Sequence, residues 1–310
     1  MTNTLHDGLP LALGGNTFGW TTDDDQSFAV LDAFVDAGGT HIDTADVYSA
    51  WAEGNSGGES ESVIGRWLQR TGRRDDVFLA TKVGSHPKHQ GLAADNVRAA
   101  LQESLQRLGT DHVDLYYAHY DDESQSPDEL AATFGGLVKD GLVRNIGLSN
   151  LSPEREQAWI DAATSAGVAV PVAIQPQYSL AHRADFEGGY RAIAEANGLA
   201  VFSYFSLASG LLTGKYRSKE DIAGTARASF LEASATDDAF ALVTTLTEVA
   251  GRHDVEPATV ALAWLLAKGV TAPIASARTP EQLAPLVASS ELTLTAGDIA
   301  DLDRASQPFA

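Results

Sequence analysis

The sequence contains no cysteine, which excludes disulfide bonds, thiolate nucleophiles, cysteine-ligated zinc and iron–sulfur clusters. Basic residues are also scarce: 21 lysines and arginines stand against 42 aspartates and glutamates, so the formal net charge is −21. A surface this acidic repels phosphate groups, so we expect neither a nucleic acid nor an anionic membrane as a partner. Hydrophobic residues (44%) and charged residues (20%) occur in the proportions of a folded globular protein, which excludes a disordered chain.

Long apolar runs are missing as well. The longest, Val260–Ala267, is far shorter than the roughly 20 residues that span a bilayer. Residues 1–15 lack the basic segment and the apolar run of a secretory signal. We therefore expect a cytoplasmic protein.

Short β-type runs alternate with helical patterns along nearly the whole chain. The eight runs are Leu11–Gly15, Thr40–Asp43, Val77–Lys82, Val113–His119, Val143–Asn150, Val172–Gln175, Leu199–Tyr204 and Val270–Ser276. Eight strands, each followed by a helix, predict a single α/β domain over residues 1–310, a closed (β/α)8 (TIM) barrel. The competing fold is a doubly wound Rossmann sheet. Its Gly-x-Gly-x-x-Gly fingerprint is absent, since Gly14, Gly15 and Gly19 do not match it.

Residues with strong helix-start and helix-stop preferences mark the connecting segments. Asp95 is the predicted N-cap of a helix that Gly109 ends. Pro127 and Pro153 suit first helical positions, and each follows a serine that can cap the helix. The longest irregular segment, residues 207–235, is too long for a passive connection, so we expect a functional loop there.

A polar side chain ends one apolar strand after another. These residues are Asp43, Lys82, His119, Asn150, Gln175 and Tyr204. In a (β/α)8 barrel the carboxyl ends of all strands meet at one rim, which is where active sites lie. Any one of these residues is explained as the first hydrophilic residue after a buried strand. A lysine and an aspartate at a narrow barrel mouth are harder to explain in this way, because unpaired charges are costly there.

Four polar residues near these strand ends make chemical sense as one proton-donating device. A phenol with an ordinary pKa near 10, such as that of Tyr48, is a poor acid at neutral pH. An adjacent ammonium, from Lys82, is expected to lower that pKa, and Asp43 is expected to hold the ammonium in place. His119 can hydrogen-bond the oxygen that receives the proton. Such a device suits a reaction in which a hydride reaches a carbonyl carbon and the oxygen develops negative charge.

These residues lie in segments that follow one another as in a known family. The segments are Gly39–Tyr48, Ala80–Val83, Asp114–His119, Val143–Asn150, Ile174–Tyr178, Tyr204–Tyr216 and Pro273–Leu283. Together they resemble the aldo-keto reductases, from about Leu9 to Leu302. The resemblance implies a reductase that converts an aldehyde or ketone to an alcohol, or catalyses the reverse oxidation. It implies Tyr48 as proton donor, Lys82 and Asp43 as the residues that tune it, and His119 as the residue that positions the carbonyl.

The resemblance also implies a set of residues that bind the cofactor. Those expected at the nicotinamide are Ser149, Asn150, Gln175 and, stacked on the ring, Tyr204. Those expected along the pyrophosphate are Phe205, Ser206, Leu207, Gly210, Leu211 and Lys215. Arg278 and Gln282 are expected at the adenosine end, where a guanidinium suits a 2′-phosphate and favours NADPH/NADP+ over NADH. The family usually has an acidic residue and an asparagine soon after the Gln282 position, where this chain has Pro285 and Leu286.

Three aromatic residues are candidates for the substrate pocket. Phe18 and Trp20 follow the first strand, and Trp51 lies in the Gly/Ser-rich loop after Tyr48. They suit an apolar or a sugar-like carbonyl substrate, although packing at the rim explains them equally well.

Histidines elsewhere in the chain have structural explanations. His41 is expected one layer below Asp43, supporting the barrel. His86 and His89 flank Pro87, and without a third ligand nearby a solvated loop is the expected structure rather than a metal site.

Two other function classes compete with the reductase. A cofactor-binding regulatory or partner-docking subunit of the same family would bind the nucleotide and turn over slowly, although nothing in the sequence marks a partner surface. A metal-dependent barrel hydrolase commonly needs His-x-His on its first strand, where this chain has His41-Ile-Asp43. Since the ammonium of Lys82 does not bind metal, we expect no metal cofactor.

Overall fold

The computed structural model of the chain describes Leu5, residues 8–222, Leu231 and residues 235–310. Eight parallel strands form its sheet: β1 Ala12–Gly14, β2 His41–Asp43, β3 Phe78–Val83, β4 Val113–Ala118, β5 Val143–Ser149, β6 Ala173–Gln175, β7 Ala200–Val201 and β8 Ile274–Ala275. Their spatial order is β8, then β1 to β7 in sequence. Each strand overlaps one of the eight predicted runs, which confirms the (β/α)8 architecture.

The last strand closes the sheet into a barrel. β8 pairs with β1, and the backbone amide of Ile274 donates a 2.8 Å hydrogen bond to the carbonyl of Ser203, just beyond β7. The amide of Thr271 likewise donates to the carbonyl of Val201 at 2.9 Å. All eight strands therefore point their carboxyl ends towards the same mouth.

Ten helices of seven or more residues surround the sheet in the described part of the chain. They are α1 Asp24–Asp36, α2 Glu59–Thr71, α3 Ala94–Leu108, α4 Pro127–Lys139, α5 Pro153–Ala166, α6 Arg191–Asn197, α7 Asp237–His253, α8 Pro257–Ala267, α9 Pro280–Val287 and α10 Ala296–Ala305. Within the described ranges, none of the helices has the length and apolar character needed to cross a bilayer.

Most of the predicted helix ends are confirmed. Ser126 and Ser152 cap α4 and α5 with their side chains, and a proline occupies the first turn of each helix. The prediction that Asp95 caps α3 was wrong. The cap is Ala93, and Asp95 lies inside the first turn, where a negative charge is favourable to the helix dipole. Gly109 ends α3 with a positive φ of 65°.

The segment predicted as a functional loop is partly helical. It contains the short 3₁₀ helix Ala208–Thr213 and the four-residue helix Lys219–Ile222. The rest of that prediction, residues 223–230 and 232–234, lies outside the described residues.

Strand alternation decides which side chains face the barrel interior. Lys82 lies two residues beyond Ala80, and Gln175 lies two beyond Ala173, so each pair shares one face of its strand. The two alanines belong to a small buried cluster that is separate from the large core of the protein. This register places Lys82 and Gln175 in the upper part of the barrel interior, next to the mouth.

Candidate active site

A carboxylate, an ammonium and a phenol meet at the carboxyl ends of β2 and β3. Nζ of Lys82 lies 2.6 Å from Oδ2 of Asp43 and 2.9 Å from the phenol oxygen of Tyr48. Its third contact is the carbonyl oxygen of Thr44 at 2.8 Å, so the three N–H donors of the ammonium each have an acceptor. The side chains of Lys82 and Asp43 are completely buried.

The other carboxylate oxygen of Asp43 ties this group to the opposite side of the barrel. Oδ1 accepts a 2.8 Å hydrogen bond from Nε2 of Gln175, at the end of β6. The hydroxyl of Tyr48 points towards Oδ2 of Asp43 at a longer distance, 3.4 Å. Asp43 therefore holds both Lys82 and Gln175, and it also lies beside the phenol.

The pKa of Tyr48 differs from the sequence-based expectation. Burial raises this pKa well above its ordinary value, and the negative charge of Asp43 raises it further. The expectation of a lowered pKa was therefore wrong, because burial and the negative charge of Asp43 both disfavour the phenolate. Burial also lowers the pKa of Lys82, against the opposing effect of Asp43. The phenol keeps its proton at neutral pH, as a proton donor must.

His119 lies directly after β4, at the same mouth. Its ring centre is 6.2 Å from that of Tyr48, and its Nδ1 lies 3.1 Å from the hydroxyl oxygen of Ser85. Burial and then the positive charge of Lys82 hold the pKa of His119 well below its usual range, so the imidazole is neutral at neutral pH.

The polar residues expected at the nicotinamide form one hydrogen-bonded chain along the mouth. Nδ2 of Asn150 donates to the hydroxyl of Ser149 (3.1 Å) and to the carbonyl of His119 (2.8 Å). Oδ1 of Asn150 accepts from the hydroxyl of Tyr204 at 2.7 Å. Ser149 in turn donates to the carbonyl of Gln175 at 2.9 Å. The structure thus brings together all four residues that the resemblance assigned to this end of a cofactor.

Backbone strain concentrates at the same mouth. In the described part of the chain, six residues other than glycine have positive φ: Ser49, Asn150, Phe205, Ala208, Ser209 and Asp254. Asp254 ends α7, whereas the other five follow the carboxyl ends of β2, β5 and β7. Such conformations cost of order 1–3 kcal/mol each and cluster at functional sites.

The residues expected along the pyrophosphate differ in their exposure. Ser206, Gly210 and Leu211 are buried and Leu207 is partly buried, whereas Phe205 (48% exposed) and Lys215 lie open to solvent. The positive φ of Gly210, 96°, is one that glycine adopts without strain.

The residues expected at the adenosine end are both exposed. Oε1 of Gln282 accepts a hydrogen bond from the backbone amide of Arg278 at 3.1 Å, which orders the start of α9. Among the residues that the structure describes, none forms an ion pair with the guanidinium of Arg278.

The two residues that depart from the family pattern have structural roles. The carbonyl of Pro285 accepts a hydrogen bond from the hydroxyl of Thr259 at 2.7 Å, and Leu286 is buried. They hold α9 against α8.

The three aromatic candidates for the substrate pocket separate into two groups. Phe18 is fully buried in the large core, so its side chain supports the mouth and does not line it. Trp20 and Trp51 meet edge to face at 5.7 Å, and Trp51 lies 6.0 Å from the ring of Tyr48. Trp51 is 46% exposed, so it presents apolar surface beside the phenol.

Sequence reasoning missed a further aromatic residue at the mouth. Tyr120 is 51% exposed, and its ring lies 5.0 Å from that of His119. The available signal was its position immediately after His119, the histidine that follows β4.

Two other histidines, His41 and His86, are buried in the fold. His41 is buried, with its ring against those of Phe78 (5.0 Å) and Phe202 (4.5 Å). The solvated loop expected around Pro87 was wrong. An antiparallel hairpin joins Ser85–His86 to His89–Gln90, and His86 is buried. No group of three metal-ligating side chains occurs among the described residues.

A second buried charge cluster lies close to Lys82, and its carboxylates partly oppose the lowering of the Lys82 pKa by burial. Nε of Arg107 lies 2.7 Å from Oε2 of Glu61, and Glu61 also accepts from the hydroxyl of Thr81. Asp46 is buried as well, and neither of its carboxylate oxygens has a hydrogen-bond partner among the described residues. Burial and then the charge of Glu61 raise the pKa of Asp46 to about 8.

Comparison with known proteins agrees with this geometry. The family model described as the aldo/keto reductase family matches residues 10–307. The chain belongs to the aldo/keto reductase family.

Individual relatives cover nearly the whole of this aldo/keto reductase. The chain is 36% identical to the uncharacterized oxidoreductase YrpG of Bacillus subtilis over 92% of its length and 88% of the relative's. It is 31% identical to the norsolorinic acid reductase stcV of Emericella nidulans, over 95% of its length and 77% of the relative's. It is 30% identical to the L-glyceraldehyde 3-phosphate reductase of Escherichia coli O157:H7, over 96% of its length and 88% of the relative's. Family and relatives support an oxidoreductase that reduces carbonyl groups, in a family that generally uses NAD(P)H.

Proposed function

We propose that this aldo/keto reductase reduces an aldehyde or ketone to an alcohol with NADPH, and catalyses the reverse oxidation, with Tyr48 as general acid. Its partner is a small carbonyl or alcohol compound. The observation that supports the proposal best is the contact of the Tyr48 phenol oxygen with Nζ of Lys82 at 2.9 Å, beside Asp43.

Each residue has one task in the proposed reaction. Bound NADPH would supply the hydride to the carbonyl carbon. Tyr48 would give its proton to the carbonyl oxygen as negative charge develops there, and its raised pKa keeps that proton in place until then. Lys82 would stabilise the phenolate that remains, at its present distance of 2.9 Å. Neutral His119 would hydrogen-bond the carbonyl oxygen and orient it.

The donor set at the mouth fits a nicotinamide dinucleotide. Ser149, Asn150 and Gln175 offer hydroxyl and amide groups for a carboxamide, and the half-buried ring of Tyr204 offers a face for stacking. Arg278 supplies an exposed guanidinium, which suits a 2′-phosphate. The nicotinamide contacts suit either dinucleotide, and the guanidinium of Arg278 supports NADPH rather than NADH as the cofactor of this chain.

The aromatic mouth supports an apolar, aromatic carbonyl compound as the substrate. Trp51 and Tyr120 are both about half exposed, and each lies within 6.0 Å, ring centre to ring centre, of a residue proposed to act on the carbonyl. Exposed aromatic rings at such a position gain binding energy by packing against another ring.

A single substitution tests the reaction. In an assay that follows NADPH absorbance with aromatic aldehydes and ketones, we expect Tyr48→Phe to lose about 10²- to 10⁴-fold in turnover. Cofactor binding, measured by fluorescence titration, should stay close to that of the unmodified protein, because the phenol hydroxyl lies outside the proposed nucleotide contacts. Undiminished carbonyl reduction by this variant would refute the assignment.

A further inference from the structure

A serine outside the proposed set of catalytic residues contacts the histidine at the mouth. Ser85 begins the short hairpin that follows β3, and its hydroxyl oxygen lies 3.1 Å from Nδ1 of His119. Among the described residues, this ring nitrogen is the one hydrogen-bond partner found for the hydroxyl. The two residues are 34 positions apart in the chain, so the contact is made by the fold.

The hairpin holds Ser85 in place. Ser85 pairs with Gln90, and the amide of Gly91 donates to the carbonyl of Gly84 at 3.0 Å. The side-chain amide of Asn96, in α3, donates to the carbonyls of Gln90 (3.1 Å) and Gly91 (2.8 Å). The hydroxyl is therefore carried by an ordered element that is anchored at both ends.

The backbone of His119 is held from two other strands. Its amide donates to the carbonyl of Val83 at 2.9 Å, at the end of β3. Its carbonyl accepts from Nδ2 of Asn150 at 2.8 Å, just beyond β5. The backbones on both sides of the Ser85–His119 contact are thus held in place by hydrogen bonds.

The position of the imidazole proton decides what His119 can do. A neutral imidazole has one N–H donor and one nitrogen acceptor, and the hydrogen bond made by one nitrogen selects the role of the other. If Nδ1 accepts a proton from a hydroxyl, the ring proton lies on Nε2, which can then donate to a carbonyl oxygen. In the opposite tautomer Nε2 presents a lone pair, which repels that oxygen.

We propose that Ser85 is a positioning residue that donates its hydroxyl hydrogen to Nδ1 of His119 and so holds the neutral ring in the tautomer protonated at Nε2. The inference rests on the proposed function, because a carbonyl oxygen is the group that Nε2–H would address. The low pKa of His119 supports it, since burial and the charge of Lys82 keep the ring neutral.

Two substitutions at the same position test the role of the hydroxyl. Ser85→Ala removes it, whereas Ser85→Thr keeps it, and the β-branched threonine suits an extended hairpin residue. Lys88→Ala, at an exposed position in the turn of the same hairpin, controls for general disturbance of this element. Nitrogen NMR of ¹⁵N-histidine-labelled protein reports the tautomer, and His119→Gln assigns one signal among the eight histidines.

The expected result has two parts. His119 in the unmodified protein, Ser85→Thr and Lys88→Ala should be protonated at Nε2, and Ser85→Ala should show a mixture of tautomers. Turnover should fall about tenfold in Ser85→Ala, the effect of one hydrogen bond, and should be retained in the other two.

Each contrary result has a separate meaning. A proton on Nδ1 in the unmodified protein, or an unchanged tautomer in Ser85→Ala, overturns the role of Ser85. Full turnover in Ser85→Ala with an altered tautomer overturns its relevance to the reaction. An absence of carbonyl reduction by the unmodified protein counts against the proposed function, and the NMR measurement still decides the hydrogen bond.

Discussion

Nζ of Lys82 lies 2.9 Å from the phenol oxygen of Tyr48, although the pKa of that phenol is raised. The same ammonium contacts Asp43 at 2.6 Å, so its charge is already offset while the phenol is protonated. The ammonium becomes most valuable when the phenol loses its proton, because it then faces a new negative charge at hydrogen-bond distance. Lys82 is therefore expected to stabilise the transition state more than the resting acid.

Removing the ammonium should separate catalysis from stability. Lys82→Met leaves the buried carboxylate of Asp43 without its ion-pair partner, so we expect a loss of about 3–5 kcal/mol in the free energy of unfolding. Turnover should fall by about 10²- to 10⁴-fold. Urea unfolding and NADPH absorbance measure the two effects.

The double variant Lys82→Met/Asp43→Asn is the matched control. It removes both charges, so it should recover much of the stability while turnover stays low. Recovery of turnover in the double variant would show that the ammonium acts on activity through folding alone.

Arg278 should discriminate between the two nicotinamide dinucleotides. Its exposed guanidinium is free of ion pairs within the described part of the chain, so a 2′-phosphate needs to displace no salt bridge. We expect Arg278→Ala to weaken NADPH binding about 10- to 100-fold, since hydrogen bonds to charged groups contribute about 1.5–3 kcal/mol. NADH binding should change little.

Arg144→Ala is a suitable control for the charge change. Arg144 is exposed and lies at the start of β5, at the opposite end of the barrel from the mouth. Fluorescence titration should show unchanged affinity for both dinucleotides in this variant. Equal losses for NADPH and NADH in Arg278→Ala would contradict the role given to the guanidinium.

Trp51 should contribute to the binding of aromatic substrates. Because about half of its side chain is exposed, truncation to alanine is expected to leave folding intact. We expect the KM for an aromatic aldehyde to rise about three- to tenfold in Trp51→Ala, which corresponds to a lost aromatic pair. The KM for a small aliphatic aldehyde serves as the internal control and should stay nearly constant. Equal increases in KM for both aldehydes would show that Trp51 supports the loop structure and does not contact the aromatic substrate.

The buried carboxyl of Asp46 should make the protein less stable as the pH rises. Its folded-state pKa of about 8 exceeds the ordinary aspartate value, so the folded protein binds a proton that the unfolded chain has released. The stabilising contribution is complete below about pH 4 and is lost as the pH rises to about 8, with a limiting slope of about 1.4 kcal/mol per pH unit. The neighbouring charges that set this pKa are Glu61, Arg107 and Lys82.

Thermal unfolding between pH 5 and 9 measures this dependence. Asp46→Asn, which mimics the protonated acid, should lose less stability over this range than the unmodified protein. Glu123→Gln, at an exposed position, is the matched control and should keep the original slope. Identical slopes in all three proteins would mean that Asp46 is charged in the fold.

The strands and most helix ends were predictable because their signals are local. Ser126 and Ser152 cap the helices whose first-turn prolines follow them, and each strand lies within or beside an apolar run of the sequence. The hairpin at residues 85–90 was missed, because its two-residue strands are too short to show alternation. Asp95 misled the prediction because an aspartate is favourable both as a cap and within the first turn of a helix.

The gathering of Asp43, Lys82 and His119 at one rim was also predictable, since parallel barrel strands place their carboxyl ends together. The exposure of single side chains was not. Phe18 and Trp20 are two residues apart in the same loop, yet one is completely buried and the other reaches the mouth. Their different environments depend on how this loop packs against the rest of the barrel.

Local residue order was thus sufficient for the barrel, for the family and for the strand ends that carry the proposed chemistry, because periodicity and capping act over a few residues. Only the folded chain shows the direction of the Tyr48 pKa shift, the contact of Ser85 with His119 and the burial of Asp46. Each of these depends on burial, or on charges and dipoles that approach from distant positions, and a linear pattern contains neither quantity.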